Sequence, residues 1–137
     1  MKNDGKEAER AFVEYWGRVG HIERLRDKRD LVGLNGGRNI ADFKKPSDFL
    51  VSSPAIVLHF AEVKSTTSKT SFPFGNIEDG QHVAAMKSAS RGDRGYMFYI
   101  FAYATSTWYM MPCWQYAEIY NSGRRSVKFE ELEPWMK

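Results

Sequence analysis

The chain has 137 residues, a length that suits one domain, and its 42% hydrophobic and 15% aromatic content is enough for a real core, which excludes a wholly disordered chain. Twenty Lys/Arg against 17 Asp/Glu give a net charge of +3, mildly basic, so a nucleic-acid partner is permitted but not demanded. A lone cysteine, Cys113, excludes an internal disulfide framework or cysteine zinc cluster, and the absence of an 18-residue apolar run argues against a membrane span and for a reducing, cytoplasmic setting.

In chain order, "GKEAERAFVEYWGRVG" (5–20) carries Ala8, Ala11, Phe12, Tyr15, Trp16 and Val19 at helical spacing, which predicts an amphipathic helix with Asp4 as cap and Gly20 as stop. "HIERLRD" (21–27) reads as a short strand. "KRDLVGLNGGRNIADFKK" (28–45) holds the turn signal "NGG" and no sustained periodicity, which predicts a protruding loop. It lies in a basic stretch with Arg24, Arg26, Lys28, Arg29, Arg38, Lys44 and Lys45. Both a solvated loop and a DNA-contacting one fit that composition. "SDFLVSS" and "AIVLHFAEVKS" read as two strands joined at "SSPA". "NIEDGQHVAAMKSASR" (76–91) reads as a helix with Glu78 and Asp79 in its first turn. "GYMFYIFAYA" is a continuous apolar run and predicts a buried central strand, with "STWYMMPC" beside it. "WQYAEIYNSG" predicts a short helix ending near Gly123, and "SVKFEEL" a last edge strand. The order gives one α/β domain over 1–137, a mixed central sheet flanked by helices.

The chemistry concentrates in "HFAEVKSTTSKTSFPF" (59–74). On a strand, Phe60, Glu62 and Lys64 share one face and Ala61 and Val63 the other. A hairpin with the preceding strand brings Asp48 beside Glu62. Two close carboxylates repel, and a divalent cation relieves the repulsion; Mg²⁺ suits a few carboxylates with waters and phosphate oxygens. Lys64 adds a positive charge for a water or a developing phosphorane. Glu-x-Lys on a strand is common by itself. The neighbouring "KPSDF" and the flanking apolar residues raise its weight as a hydrolytic site.

These residues resemble a known family. "KPSDF" together with "HFAEVKSTTSKTSFPFGNIEDGQHVAAM" resembles the RecU family of bacterial Holliday junction resolvases, members of the PD-(D/E)xK, restriction-endonuclease-like superfamily. The likeness is strongest from Lys45 to Met86, and "GKEAER" is similar to the opening helix of archaeal junction resolvases. The resemblance implies a restriction-endonuclease-like core and a Mg²⁺-dependent endodeoxyribonuclease, with Mn²⁺ able to substitute. It implies a homodimer that cleaves four-way junctions to 5′-phosphate and 3′-hydroxyl ends, in a bacterial or phage-infected cell. Asp48, Glu62 and Glu9 would hold metal, Lys64 would be the catalytic lysine, and Gln81 would sit near the metal water or the scissile phosphate. Ser47 stands where the family often has Thr. The 28–45 loop would correspond to the family's stalk, shortened here, which fits a compact, phage-encoded relative.

Around this set, Arg29, Arg38, Lys44, Lys45, Lys69 and Ser47 are the expected DNA contacts. Glu9 can equally be an exposed helical carboxylate, and Gln81 a surface or packing amide. His21, His59 and His82 show no ligand spacing. Trp108, Tyr109, Trp114, Tyr116 and Tyr120 exceed what one small core readily buries and suggest a dimer interface. A restriction-like or flap nuclease, and a non-catalytic DNA-binding module of the same fold, are the alternatives.

Overall fold

The computed structural model describes residues 5–25, 47–54, 57–92 and 95–135. The first helix, α1 (Gly5–Val19), buries Ala8, Phe12 and Trp16, one residue every four, whereas Ala11 and Val19 face solvent. The apolar stripe is thus narrower than the six residues predicted, because a helix lying on a sheet touches it along one row. Asp4, the expected cap, lies outside the described residues. The Gly20 N–H donates to the Trp16 carbonyl at 2.9 Å. A Cβ at Gly20 would collide with the Ser52 carbonyl oxygen, so only glycine allows the chain to turn there against the sheet.

Among the described residues six strands form the main sheet: β1 (His21–Arg24), β2 (Phe49–Ser52), β3 (His59–Thr66), β5 (Tyr96–Ala102), β6 (Thr107–Pro112) and β8 (Glu133–Trp135), in the order β1-β2-β3-β5-β6-β8. β3 and β5 run parallel and the other pairs antiparallel, which makes the sheet mixed. As its unbroken apolar run predicts, β5 is central: Tyr96, Phe98, Tyr99, Ile100 and Ala102 are all buried. Between β3 and β5 the chain makes β4 (Ser71–Pro73) and the helix α2 (Asp79–Ser90); after β6 comes the helix α3 (Cys113–Asn121), closed by Gly123 at φ 96°.

"SVKFEEL" is not the edge strand of the main sheet. Ser126–Lys128 forms β7, which pairs with β4 in a separate two-stranded sheet, and Phe129–Glu131 is a single 3₁₀ turn. The edge is β8, whose Trp135 lies opposite Trp108. A proline at its centre hides it from a pattern search, yet an edge strand tolerates one.

Two cores result, one on each face of the sheet. On the first face, α1 packs Phe12 and Trp16 against Phe49, Val51, Ala61, Val63, Tyr99, Trp108 and Trp135. On the second, α2 and α3, the latter through Cys113 and Tyr116, cover Phe98, Ile100 and Met111, and Phe72 of β4 and Phe74 just after it join them. Cys113 is a fully buried thiol. The aromatic surplus also goes into these cores: Trp108 and Tyr116 are buried, and Tyr109 stacks on Phe129 at 4.9 Å. Of the five aromatics expected at an interface, Trp114 alone is widely exposed.

Candidate active site

The site forms where β2 begins beside the middle of β3. Phe49 pairs with Ala61 and Leu50 with Phe60, so the next step back along β2 sets Asp48 beside Glu62. The Asp48 carboxylate accepts the Val63 N–H at 3.2 Å, which ties it to β3. Its carbonyl accepts the Leu25 N–H at 2.9 Å, which ties it to β1 as well. Three strands therefore fix one aspartate.

Alternation along β3 sends Ala61 and Val63 into the α1 core and Glu62 and Lys64 to the face covered by α2. Glu62 is only 2% exposed, and the Lys64 ammonium lies 3.6 Å from its Oε2. Behind them stands Tyr96. Burial first, and then the Glu62 and Asp48 carboxylates, hold its phenol far above the ordinary tyrosine range. Both carboxylates therefore act electrostatically on one buried hydroxyl, in the arrangement the hairpin argument predicts.

The other expected residues divide. Gln81 is buried at the start of α2, and its side-chain carbonyl accepts the Glu78 N–H at 2.9 Å in a capping box. Its oxygen thus serves the helix terminus. Glu78 is the N-cap and not a first-turn residue. Glu9 is on α1, the helix packed against the other face of the sheet; its carboxylate lies 3.4 Å from Arg24. Among the described residues no three of His, Cys, Asp and Glu gather where they could hold one metal, so Glu9 does not join Asp48 and Glu62 here. Ser47, expected on phosphate, is fully buried, and its hydroxyl donates to the Phe49 carbonyl at 2.9 Å. It pins the entry into β2, and its burial leaves no exposed hydroxyl for a phosphate, against the expectation of a DNA contact.

Lys69 is exposed at the tip of the polar tract after β3. The hydroxyls there shape the turn: Thr66 Oγ1 accepts the Ser68 N–H and Ser68 Oγ accepts the Ser71 N–H. Arg29, Arg38, Lys44, Lys45 and the whole 28–45 loop lie outside the described residues. One charged residue on the opposite, α1 face of the sheet was not singled out from the sequence. Arg24 meets Glu9 and also lies over the Phe49 ring, 5.1 Å from its centroid. The signal was its position in β1, opposite Phe49, where alternation calls for an apolar side chain. Of the histidines, His59 is buried between Tyr99 and the Val57 carbonyl, His82 shares a hydrogen bond with Tyr116, and His21 lies beside Glu23.

Asp48 and Glu62 are hard oxygen donors fixed on adjacent strands, and Mg²⁺ needs only one or two carboxylates when waters and phosphate oxygens fill the rest of its shell. The donor set therefore fits that ion without Glu9.

No protein-family model matches the chain, and no curated protein matches it. Among solved structures it is similar to Hjc, a Holliday junction resolvase from the archaeal hyperthermophile Archaeoglobus fulgidus. The TM-score is 0.51 at 13% sequence identity, over 80% of this chain and 78% of that one. The likeness is one of fold: a mixed sheet flanked by helices, in a restriction-endonuclease-like arrangement.

Proposed function

We propose that this resolvase-like fold carries a structure-selective endodeoxyribonuclease that resolves four-way DNA junctions by divalent-metal-dependent phosphodiester hydrolysis. The observation that carries the proposal is the buried Glu62 with Lys64 at 3.6 Å and Asp48 beside it on the neighbouring strand. An acid withdrawn from water is costly to keep ionised, and a lysine and a divalent cation both favour the ionised form. A purely structural residue at this position would more simply be apolar.

Asp48 and Glu62 would hold Mg²⁺, or Mn²⁺ in its place. When bound, the ion supplies Lewis acidity at the scissile phosphate and lowers the pKa of a water. The chain's own residues do the positioning. The Val63 N–H fixes Asp48, and β5 backs β3 so that the Glu62–Lys64 face is rigid. The Lys64 ammonium, held by Glu62, stands ready to orient the attacking water and to oppose the negative charge that grows on the phosphorane. Lys69 and the basic residues 29–45 would follow the DNA backbone. Products would be 5′-phosphate and 3′-hydroxyl ends. Paired nicks on the two-fold junction would need two chains, each with one site.

The deciding experiment is a labelled four-way junction beside matched duplex and flap, with and without Mg²⁺. Mg²⁺-dependent paired nicks in the junction alone are expected. Equal cutting of the flap would move the assignment to a branch-trimming nuclease. Junction binding with no cutting in Mg²⁺ or Mn²⁺ would make the chain a non-catalytic DNA-binding module.

A further inference from the structure

A cavity of about 240 Å³ opens on the face of the sheet that carries Glu62 and Lys64. The strands give it one wall, made of Phe60, Gly95 and Tyr96, with Tyr96 opposite Phe60 in the register. α2 gives the other. Ala84, Lys87 and Ser88 stand three and four residues apart, and so on one side of the helix. Gly95 adds no side chain to fill the space between them. Tyr96 and Ser88 are buried, whereas Phe60 is 36% exposed and Lys87 lies in solvent. The cavity thus has a closed aromatic back, an open aromatic edge and a positive charge at its mouth.

β3 fixes its place relative to the chemistry. Phe60 precedes Glu62 by two residues on the same face, about 6–7 Å along the strand. Tyr96 joins the two places: it lines the cavity, and its phenol is held high by burial first and then by the Glu62 and Asp48 carboxylates. A nucleotide next to one bound at the acidic pair is therefore within reach of Phe60. The cavity is smaller than the roughly 300–1,000 Å³ of a site for a drug-sized ligand, so its occupant is one small group. A nucleobase has the flat faces that an exposed ring stacks, and the phosphate attached to it is what Lys87 attracts. An apolar side chain from a protein partner would fill the space but gain nothing from Lys87.

We infer that this cavity takes one unstacked nucleobase of the DNA, laid against Phe60 with its phosphate on Lys87, beside the scissile phosphate. The inference deepens the junction-resolving reading and rests on it for the presence of DNA on this face. It also gives that reading a source of selectivity. Turning a base out of a duplex costs the pairing and stacking that it loses, and costs least where these are already lost. Stacking is interrupted beside a branch point, so a base enters the cavity there more readily than from plain duplex. Phe60 is on this account a specificity-determining residue and not a catalytic one.

The test measures binding by the full chain without metal, so that no cutting enters. Four-way junctions are made with a single abasic residue placed in turn at each nucleotide flanking the branch point, and their affinities are compared at one fixed salt concentration. At one such position the missing base should weaken binding by about tenfold, within the range that alanine substitution gives for base–aromatic stacking. Phe60→Ala should weaken the intact junction by a similar factor and the abasic one no further, since the two changes remove one contact. Phe60→Tyr should keep parental affinity, whereas Phe60→Leu, which retains an apolar side chain, should not. Ala84→Leu fills the cavity from α2; it should reproduce the loss, and it stands in if Phe60→Ala lowers the melting temperature. Lys87→Ala should reduce the slope of log affinity against log salt by about 0.9, the value for one phosphate contact, and an unchanged slope would overturn that contact. Equal losses with and without the base would assign the cavity to packing or to a protein side chain and overturn the inference. So would parental affinity in both Phe60→Ala and Ala84→Leu, or a chain that binds no junction. Binding and cleavage report separately. A base-dependent effect of Phe60 in a chain that cuts nothing keeps the cavity's ligand and removes the nuclease reading, and junction cleavage with no such effect does the reverse.

Discussion

Replacing Glu62 by Gln keeps the shape of the side chain and removes its charge. Two opposing effects bear on the fold. The attraction between Glu62 and Lys64 at 3.6 Å is roughly 4–5 kcal/mol at an effective dielectric constant of about 20. Against it stands the cost of withdrawing a carboxylate from water, still several kcal/mol after relaxation, at a residue only 2% exposed. The two nearly cancel, so without metal the variant should melt within about 4 °C of the parent, which is on the order of 1 kcal/mol for a chain of this size. Metal binding breaks the balance. At ten times its dissociation constant, Mg²⁺ should stabilise the parent by about 1.4 kcal/mol, roughly 5 °C, and Glu62→Gln should lose that shift. Cleavage should fall by at least about two orders of magnitude, the scale of losing one preorganised charge at a reacting centre. Junction affinity in the absence of metal should hold or tighten, because removing a negative charge cannot weaken attraction to phosphate. The assays are thermal melts across a Mg²⁺ series and single-turnover cleavage of a labelled junction. A variant that cuts within tenfold of the parent, or that keeps the Mg²⁺ shift, would refute the assignment of Glu62 as a metal ligand.

Lys64→Ala should abolish turnover and, unlike Glu62→Gln, leave the Mg²⁺ melting shift in place; near-parental rates in the same cleavage assay would reduce Lys64 to a surface charge. Replacing residues 28–43 with a short Gly-Ser turn should lower the junction-to-duplex affinity ratio, and an unchanged ratio at one fixed salt concentration would make the loop a passive connection. Gly20→Ala should destabilise by about 1–3 kcal/mol, the range for forcing extra atoms into packed space, since its Cβ would meet the Ser52 backbone; an unchanged urea midpoint would show that the turn relaxes freely. Burial lowers the pKa of His59, whose Nδ1–H donates to the Val57 carbonyl while Nε2 accepts from the Tyr99 hydroxyl at 2.7 Å. The unfolded chain therefore takes up the proton first, so this contribution is whole above the ordinary histidine pKa of about 6.5 and is lost as pH falls from there toward the lower folded value. Urea midpoints at pH 7.5 and 5.0 should differ less in His59→Gln than in the parent, and equal differences would contradict it.

How far the fold was legible depended on whether one face of an element was exposed or both were buried. α1 declared itself because Phe12 and Trp16 stand in a polar setting, and β5 because nothing polar interrupts it. The small strands did not. β4 and β7 are three residues each, too short for a period, and they pair with each other across more than fifty residues of chain, a long-range choice that no local pattern records. β8 contains Pro134, which speaks against a strand unless its place at the sheet edge is already known. The aromatic residues misled for a related reason. Composition counts them but does not say that the sheet has two buried faces, and two cores take up rings that one could not.

At the site, the part set by strand alternation and hairpin register was readable, and the part set by rotamers and layers was not. Glu62 and Lys64 share a face by the period of two, and pairing Phe49 with Ala61 is enough to bring in Asp48. Glu9 depends on which face of the sheet α1 covers, which its own sequence does not fix: α1 lies opposite Glu62 and Lys64, and the Glu9 carboxylate meets Arg24. Gln81 shows the same limit. Position puts it at the start of α2, but Glu78 three residues before it offers a capping partner, and the local hydrogen bond takes the side-chain oxygen. A residue that can satisfy a helix terminus within its own turn needs no distant partner to explain its presence. Its catalytic weight must therefore come from a Gln81→Met comparison in which helix stability and cleavage are measured together, since loss of the cap alone would lower both.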